Sequence, residues 1–172
     1  MTDADNAVLS VGEVRLLSVG IVPVGDVSSP ILLQNTHDAF VVFDALVEGT
    51  NIRCGCSMVR LQDCLVTRFG YPNDSERQTI LGPELFPEGP DSYGIFEVHN
   101  SSWIMDIQEQ RQSRLARPLT PTGRHILITF NDCTFEALAQ SVSAVALEGP
   151  RNNVLTRLSQ LLQGGSPTLL VV

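Results

Sequence analysis

No lysine occurs in this chain: its eleven cationic side chains are all arginine, set against nineteen acids, for a formal net charge of −8 and a pI near 4.7. Exclusive use of arginine fits GC-rich coding as readily as a need for bidentate carboxylate or phosphate contacts. The acidic balance repels phosphate backbones and anionic lipid headgroups. Nucleic-acid and membrane-surface binding are therefore not expected, and a basic protein partner or a small ligand is the easier fit. The same excess of acid also serves solubility.

Other absences narrow the field further. No apolar run approaches the roughly 18 residues of a membrane helix. Met1-Thr2-Asp3-Ala4-Asp5-Asn6 lacks the basic start and apolar core of a signal peptide. The expected location is the cytoplasm, where the acceptor-like triplets at Asn73 and Asn100 carry no meaning. There is no phosphate-cradling glycine loop, dinucleotide fingerprint, nucleophile elbow or zincin helix. Those absences remove the most readable enzyme classes and imply no cofactor, but they leave room for an enzyme built from dispersed residues. Cysteine is sparse: Cys54, Cys56, Cys64 and Cys133 read as free thiols in a reducing compartment. Cys54-Gly55-Cys56 is too close for an ordinary disulfide and is not a zinc knuckle. In a strand both thiols would share one side and face the core.

What is present suits a single domain over 1–172. A chain of 172 residues, 43% of them apolar, can remove roughly 70% of its unfolded surface from water on folding. Residues 1–7 read as a frayed tail. Val8 to Val24 suggests two short strands, and Asp26 to Pro30 a turn-rich connection. Ala39 to Glu48, the turn Gly49-Thr50-Asn51 and the apolar run to Leu61 make a hairpin signal. Cys64 to Tyr71 reads as a further strand. Pro72 to Ser92 is a long loop with Asp74, Glu76, Glu84, Glu88 and Asp91 against Arg77 alone. Loops of that length in a compact domain are usually functional or mobile. It suits a solvated stretch, a lid or a docking surface for a basic partner, with Asp74 and Glu76 as candidate binding residues.

Tyr93 to His99 reads as a strand, Asn100-Ser101-Ser102 as helix caps, and Trp103 to Leu115 as a helix. Asn100 and Trp103 join the candidate binding residues, Trp103 also serving as a core anchor. Arg111, Arg114, Arg117 and Arg124 form a basic spot that is solvent-facing, paired with the acidic loop, or an anion site. His125 to Asn131 is a strand. Beyond it two patterns compete: Phe135, Leu138, Ala139, Val142 and Val145 fall at helical spacing, whereas Phe135, Ala137 and Ala139 alternate. A hairpin over 125–142 is the preferred reading. Asn152 to Gln163 is a helix with Val154, Leu155, Leu158, Leu161 and Leu162 in one stripe, closed by Gly164-Gly165 and Pro167. Leu169 to Val172 adds an edge strand or hangs free.

Chemistry concentrates beside two strands. Glu97 and His99 share a face of the first; His125, Leu127, Thr129 and Asn131 share one face of the second. Side-by-side pairing would let Glu97, His99, His125 and Thr129 converge. A histidine next to a carboxylate can act as a general base, so the catalytic candidates are His125, Glu97, Asp132 and Glu136. Paired histidines with Glu97 or Asp132 would also suit a divalent metal, and ordinary structural hydrogen bonding would use the same residues.

Phe69-Gly70-Tyr71-Pro72-Asn73-Asp74, Phe96-Glu97-Val98 with Asn100-Ser101-Ser102-Trp103, and His125 with Thr129-Phe130-Asn131-Asp132-Cys133-Thr134-Phe135-Glu136 together resemble a group of small bacterial proteins of unknown function. In that group the last stretch reads His, three residues, then Thr-Phe-His-Asp-Ser-Thr-Phe-Glu. The likeness covers roughly residues 66–140. This chain departs from it at Asn131, where the group has His, and at Cys133, where it has Ser. If the group uses that histidine chemically, this chain has lost it. The resemblance implies a bacterial origin and a shared architecture, and supplies no activity.

The expected fold is α+β: a mostly antiparallel sheet of about six or seven strands with two packed helices. The expected function is non-catalytic binding or regulation in an accessory role, docking a basic partner through the acidic loop at 72–92. The alternative is a small enzyme or metal-binding protein using His125 with Glu97, Asp132 or Glu136.

Overall fold

Apolar residues recurring at every second position organise the interior. In a computed structural model that describes residues 13–25, 29–70, 72–73, 76–77, 93–112, 123–147 and 150–162, Ala39, Val41, Phe43 and Ala45 of one strand pack with Ile126 and Ile128 of another. The strands are β1 (Glu13–Leu16), β2 (Ile21–Pro23), β3 (Ile31–Gln34), β4 (Ala39–Val47), β5 (Arg53–Gln62), β6 (Val66–Gly70), β7 (Gly94–His99), β8 (Arg124–Thr129), β9 (Thr134–Ala139) and β10 (Ser141–Ala146). Two helices have both ends among the described residues, here α1 (Ser102–Gln112) and α2 (Arg151–Leu162). Among the described residues no helix is long and apolar enough to cross a membrane.

The architecture is α+β with antiparallel pairing throughout, but the strands form two sheets rather than one. Sheet A runs β1-β7-β8-β9-β6 and sheet B runs β10-β5-β4-β2, with β3 following β2 along the same edge of β4. The expectation of six or seven strands in a single sheet is thus corrected, among the described residues, to ten strands in two. The physical reason is twofold. Three- and four-residue strands such as β2 and β3 are too short to display a period. The corner at Gln140, whose N–H donates to the Gln62 carbonyl, carries the chain from sheet A into sheet B without a break in composition.

Phe135, Ala137 and Ala139 all face the interior, so alternation rather than helical spacing describes 134–139. The hairpin β8–β9 follows, its turn held by the Phe130 N–H to the Cys133 carbonyl. Phe43 and Phe130 meet edge to face at 5.3 Å in the middle of the sandwich. On the far side of sheet B, Val154 and Leu158 of α2 pack on Phe40, Val42, Cys56 and Met58. The expected hairpin between β4 and β5 is also present, with Gly49 at a positive φ in its turn.

The two neighbouring thiols diverge. Cys54 packs against the interior between the sheets, while Cys56 belongs to the cluster under α2. Gly55 adopts φ +73°, and the pairing with β4 shifts between Ala45 and Leu46. That bulge inserts one residue and breaks the two-residue alternation, so the expectation of both thiols on one side does not hold. All four cysteines are free.

Candidate functional site

The strands bearing Glu97 and His125 do adjoin, but the register sends the two side chains to opposite faces. Val98, not Glu97, stands across from His125, and Glu97 stands across from Ile126. One residue of offset reverses the face in a strand, so the expected convergence of Glu97 with His125 is corrected. Glu97 points to the inner side at the rim of the sandwich. There the Arg124 guanidinium donates to both its oxygens, at 2.9 and 2.5 Å. This hydrogen bond, more than any other influence, holds the Glu97 carboxyl below its ordinary range. Arg124, expected in a solvent-facing basic spot, is spent on this pair. Asp132 lies exposed in the β8–β9 turn, at the end of the hairpin away from His125.

His125 finds Glu136 instead. Glu136 stands across from Leu127, one diagonal step along the same outer face, which is within reach of a long side chain. His125 Nε2 lies 3.0 Å from Glu136 Oε2, and His125 Nδ1 lies 2.8 Å from Ser101 Oγ. An ionised carboxylate can only accept; opposite one, Nε2 would donate, and in a neutral ring Nδ1 would then accept the Ser101 hydroxyl. The ring edge meets Trp103 at 5.2 Å between centroids. Ser101 and His125 are 5% and 7% exposed. The outer face of sheet A is thus covered at this point, not turned to water as the polar pattern of β8 suggests.

Ser101 is positioned by a tight exit from β7. Asn100 adopts φ +54°, a conformation its short polar side chain tolerates, and turns the chain from strand to helix. Ser101 then caps α1, its Oγ accepting the Ile104 N–H at 3.3 Å. Asn100 is exposed, and its role in the fold is that turn. Trp103 is buried over His125, and the Arg68 guanidinium lies 4.1 Å above the indole.

Of the acidic loop, Asp74 lies outside the described residues, as do Glu84, Glu88 and Asp91. Glu76 and Arg77 are helical, and the Glu76 N–H donates to Asn73 Oδ1 at 3.1 Å. Its neighbour Arg77 is 1% exposed, and its guanidinium donates to Thr134 Oγ1 and to the Phe130 carbonyl. Asn131 Oδ1 accepts the Tyr93 hydroxyl at 3.2 Å. Among the described residues no three His, Cys, Asp or Glu side chains converge as a metal site requires.

Sequence reasoning named Ser101 only as a helix cap, and it did not single out Arg68 or Arg77 as site residues. Ser101 carried a signal: a strand running straight into a helix through Asn-Ser places a serine hydroxyl at a helix N-terminus. Arg77 was marked only as the one cation among acids. Nothing local marks Arg68, whose place across from Glu136 depends on β6 pairing with β9, a strand far along the chain.

No family model, curated protein or solved structure matches this chain.

Proposed function

We propose that this protein is a small enzyme of the acyl-transfer type in which Ser101 is the nucleophile, His125 the general base and Glu136 the group that orients it. The observation that carries the reading is the continuous chain of hydrogen bonds from Ser101 Oγ through the imidazole to Glu136. A nucleophile, a base within hydrogen-bond reach and a third group fixing the base's tautomer form a constellation recognised by roles rather than by sequence order. In the step this arrangement suits, Ser101 Oγ attacks a carbonyl carbon and its proton passes to His125 Nδ1. Glu136 stabilises the resulting imidazolium through Nε2–H. The leaving group then takes the proton from Nδ1, and water releases the acyl group by the reverse route.

Ser101 is only 5% exposed, so on this reading the first turn of α1 lifts to admit a substrate to its Oγ. The exclusion of water that comes with this cover strengthens the internal electrostatics. The deciding experiment is labelling of the folded protein with a serine-directed fluorophosphonate, followed by mapping of the modified peptide. Modification at Ser101, lost in Ser101→Ala and strongly reduced in Glu136→Gln, is expected. If the hydroxyl serves only as a helix cap, Ser101 stays unmodified and the reading fails.

The docking reading rests on a different observation, the net charge of −8. Association with a basic partner that weakens steeply with salt supports it. The resemblance to small bacterial proteins of unknown function favours neither reading.

A further inference from the structure

Arg68 and Glu136 stand directly across from each other between β6 and β9, the position at which opposite charges ordinarily pair. They do not pair. Glu136 turns to His125, and the Arg68 guanidinium carbon lies 4.1 Å from the centre of the Trp103 ring. Elsewhere in the two sheets Arg15, Arg60 and Arg124 each hold a carboxylate: Glu13, Asp38 and Glu97. Arg68 is exposed and, among the described residues, has no carboxylate partner. Stacking occupies the face of a guanidinium and leaves the N–H groups along its edge free to donate. A planar cation with an open donor edge is therefore held on the same indole that edges His125.

We infer that Arg68, propped on Trp103, is a recognition site for a small oxyanion, with the carboxylate as the best match. The two oxygens of a carboxylate fit the guanidinium fork in a bidentate pair. On the proposed function, on which this assignment of substrate class rests, the anion is a charged group of the acyl substrate bound beside the Ser101–His125–Glu136 chain. The site also accounts for how an acidic protein receives an anionic ligand: one exposed cation, whose cross-strand neighbour Glu136 is turned to His125, supplies the local attraction.

Trp103 is the only tryptophan, so its emission reports on this site alone. Titration with benzoate, inorganic phosphate and uncharged benzamide separates the possibilities. A saturable change with benzoate, absent with benzamide and about tenfold weaker in Arg68→Gln, is expected for the loss of one charge-assisted pair. Arg68→Lys keeps the charge but not the fork and should fall between the two. Tighter binding of phosphate than benzoate would keep the oxyanion site and overturn the carboxylate assignment. An equal response in Arg68→Gln, or none in the wild type, would overturn the site itself. Failure of serine labelling in the wild type with intact benzoate binding would remove the acyl-transfer reading and leave the anion site standing.

Discussion

The two helices cover the two outer faces of the sandwich by different chemistry. Helix α2 lays Val154 and Leu158 onto Phe40, Val42, Cys56 and Met58 of sheet B, an apolar contact without direction. Helix α1 meets sheet A at its first turn through Ser101, which bonds His125, and Trp103, which packs on the same ring. Apolar burial is non-directional and scales with area. A buried polar chain needs every partner in place and penalises any loss. A protein that needed only a helix on a sheet could use the α2 solution twice. Spending a histidine, a carboxylate and a serine under α1 costs specificity of geometry, and that cost is the physical ground for seeking function there.

The contrast can be broken by measuring what each attachment contributes. Leu158 is 1% exposed, and Leu158→Ala should cost about 3 kcal/mol of unfolding free energy by leaving a cavity. Serine labelling and benzoate binding should survive it while the protein is folded. His125→Leu should cost about 2 kcal/mol, because Ser101 Oγ and the Glu136 carboxylate lose their shared partner in a covered site. Unlike Leu158→Ala, it should abolish Ser101 labelling. Ser101→Ala removes the cap of α1 and should cost about 1 kcal/mol. Urea midpoints at constant slope give all three values. If His125→Leu proved harmless and labelling persisted, the polar attachment would be incidental and the distinction between the helices would disappear.

How much of this was legible in the sequence differs between the same two regions. The α2 contact could be read directly, since Val154, Leu155 and Leu158 repeat at helical spacing and the partners Phe40 and Val42 alternate along β4. The polar cluster could be read only in part. His125 and Glu136 stood out by residue type, and Ser101 by its place ahead of a helix. Their meeting depends on registers that no local pattern specifies. A one-residue offset between β7 and β8 removed Glu97 from the group, and the diagonal β8–β9 relation admitted Glu136. The bulge at Gly55 that parts Cys54 from Cys56 is of the same kind: a single inserted residue with a non-local consequence. Antiparallel pairing as such was readable from alternation and turn chemistry. Division into two sheets was not, because an alternating strand buries one face whether it packs against a helix or a second sheet.

The smallest expected effect concerns acid, and it tests whether the rim of sheet A is polar by contribution or only by composition. Burial raises the Glu97 carboxyl, but the hydrogen bond from Arg124 outweighs it and the charges of Arg124 and His99 act in the same direction, so the group titrates below its ordinary range. A carboxyl lowered in the folded state binds fewer protons there than in the unfolded chain. Its contribution is therefore complete above the ordinary value of about 4.3 and is lost as pH falls through the depressed folded value. At neutral pH the partly exposed pair should contribute about 0.5 kcal/mol relative to Glu97→Gln. That difference should close as the pH falls through the depressed folded value, below which both proteins carry a neutral side chain at this position. Other carboxylates titrate alike in the two proteins and cancel in the comparison. A gap between wild type and Glu97→Gln that stayed constant with pH would mean that packing, not charge, is what Glu97 contributes, and the rim would then resemble the apolar side of the molecule.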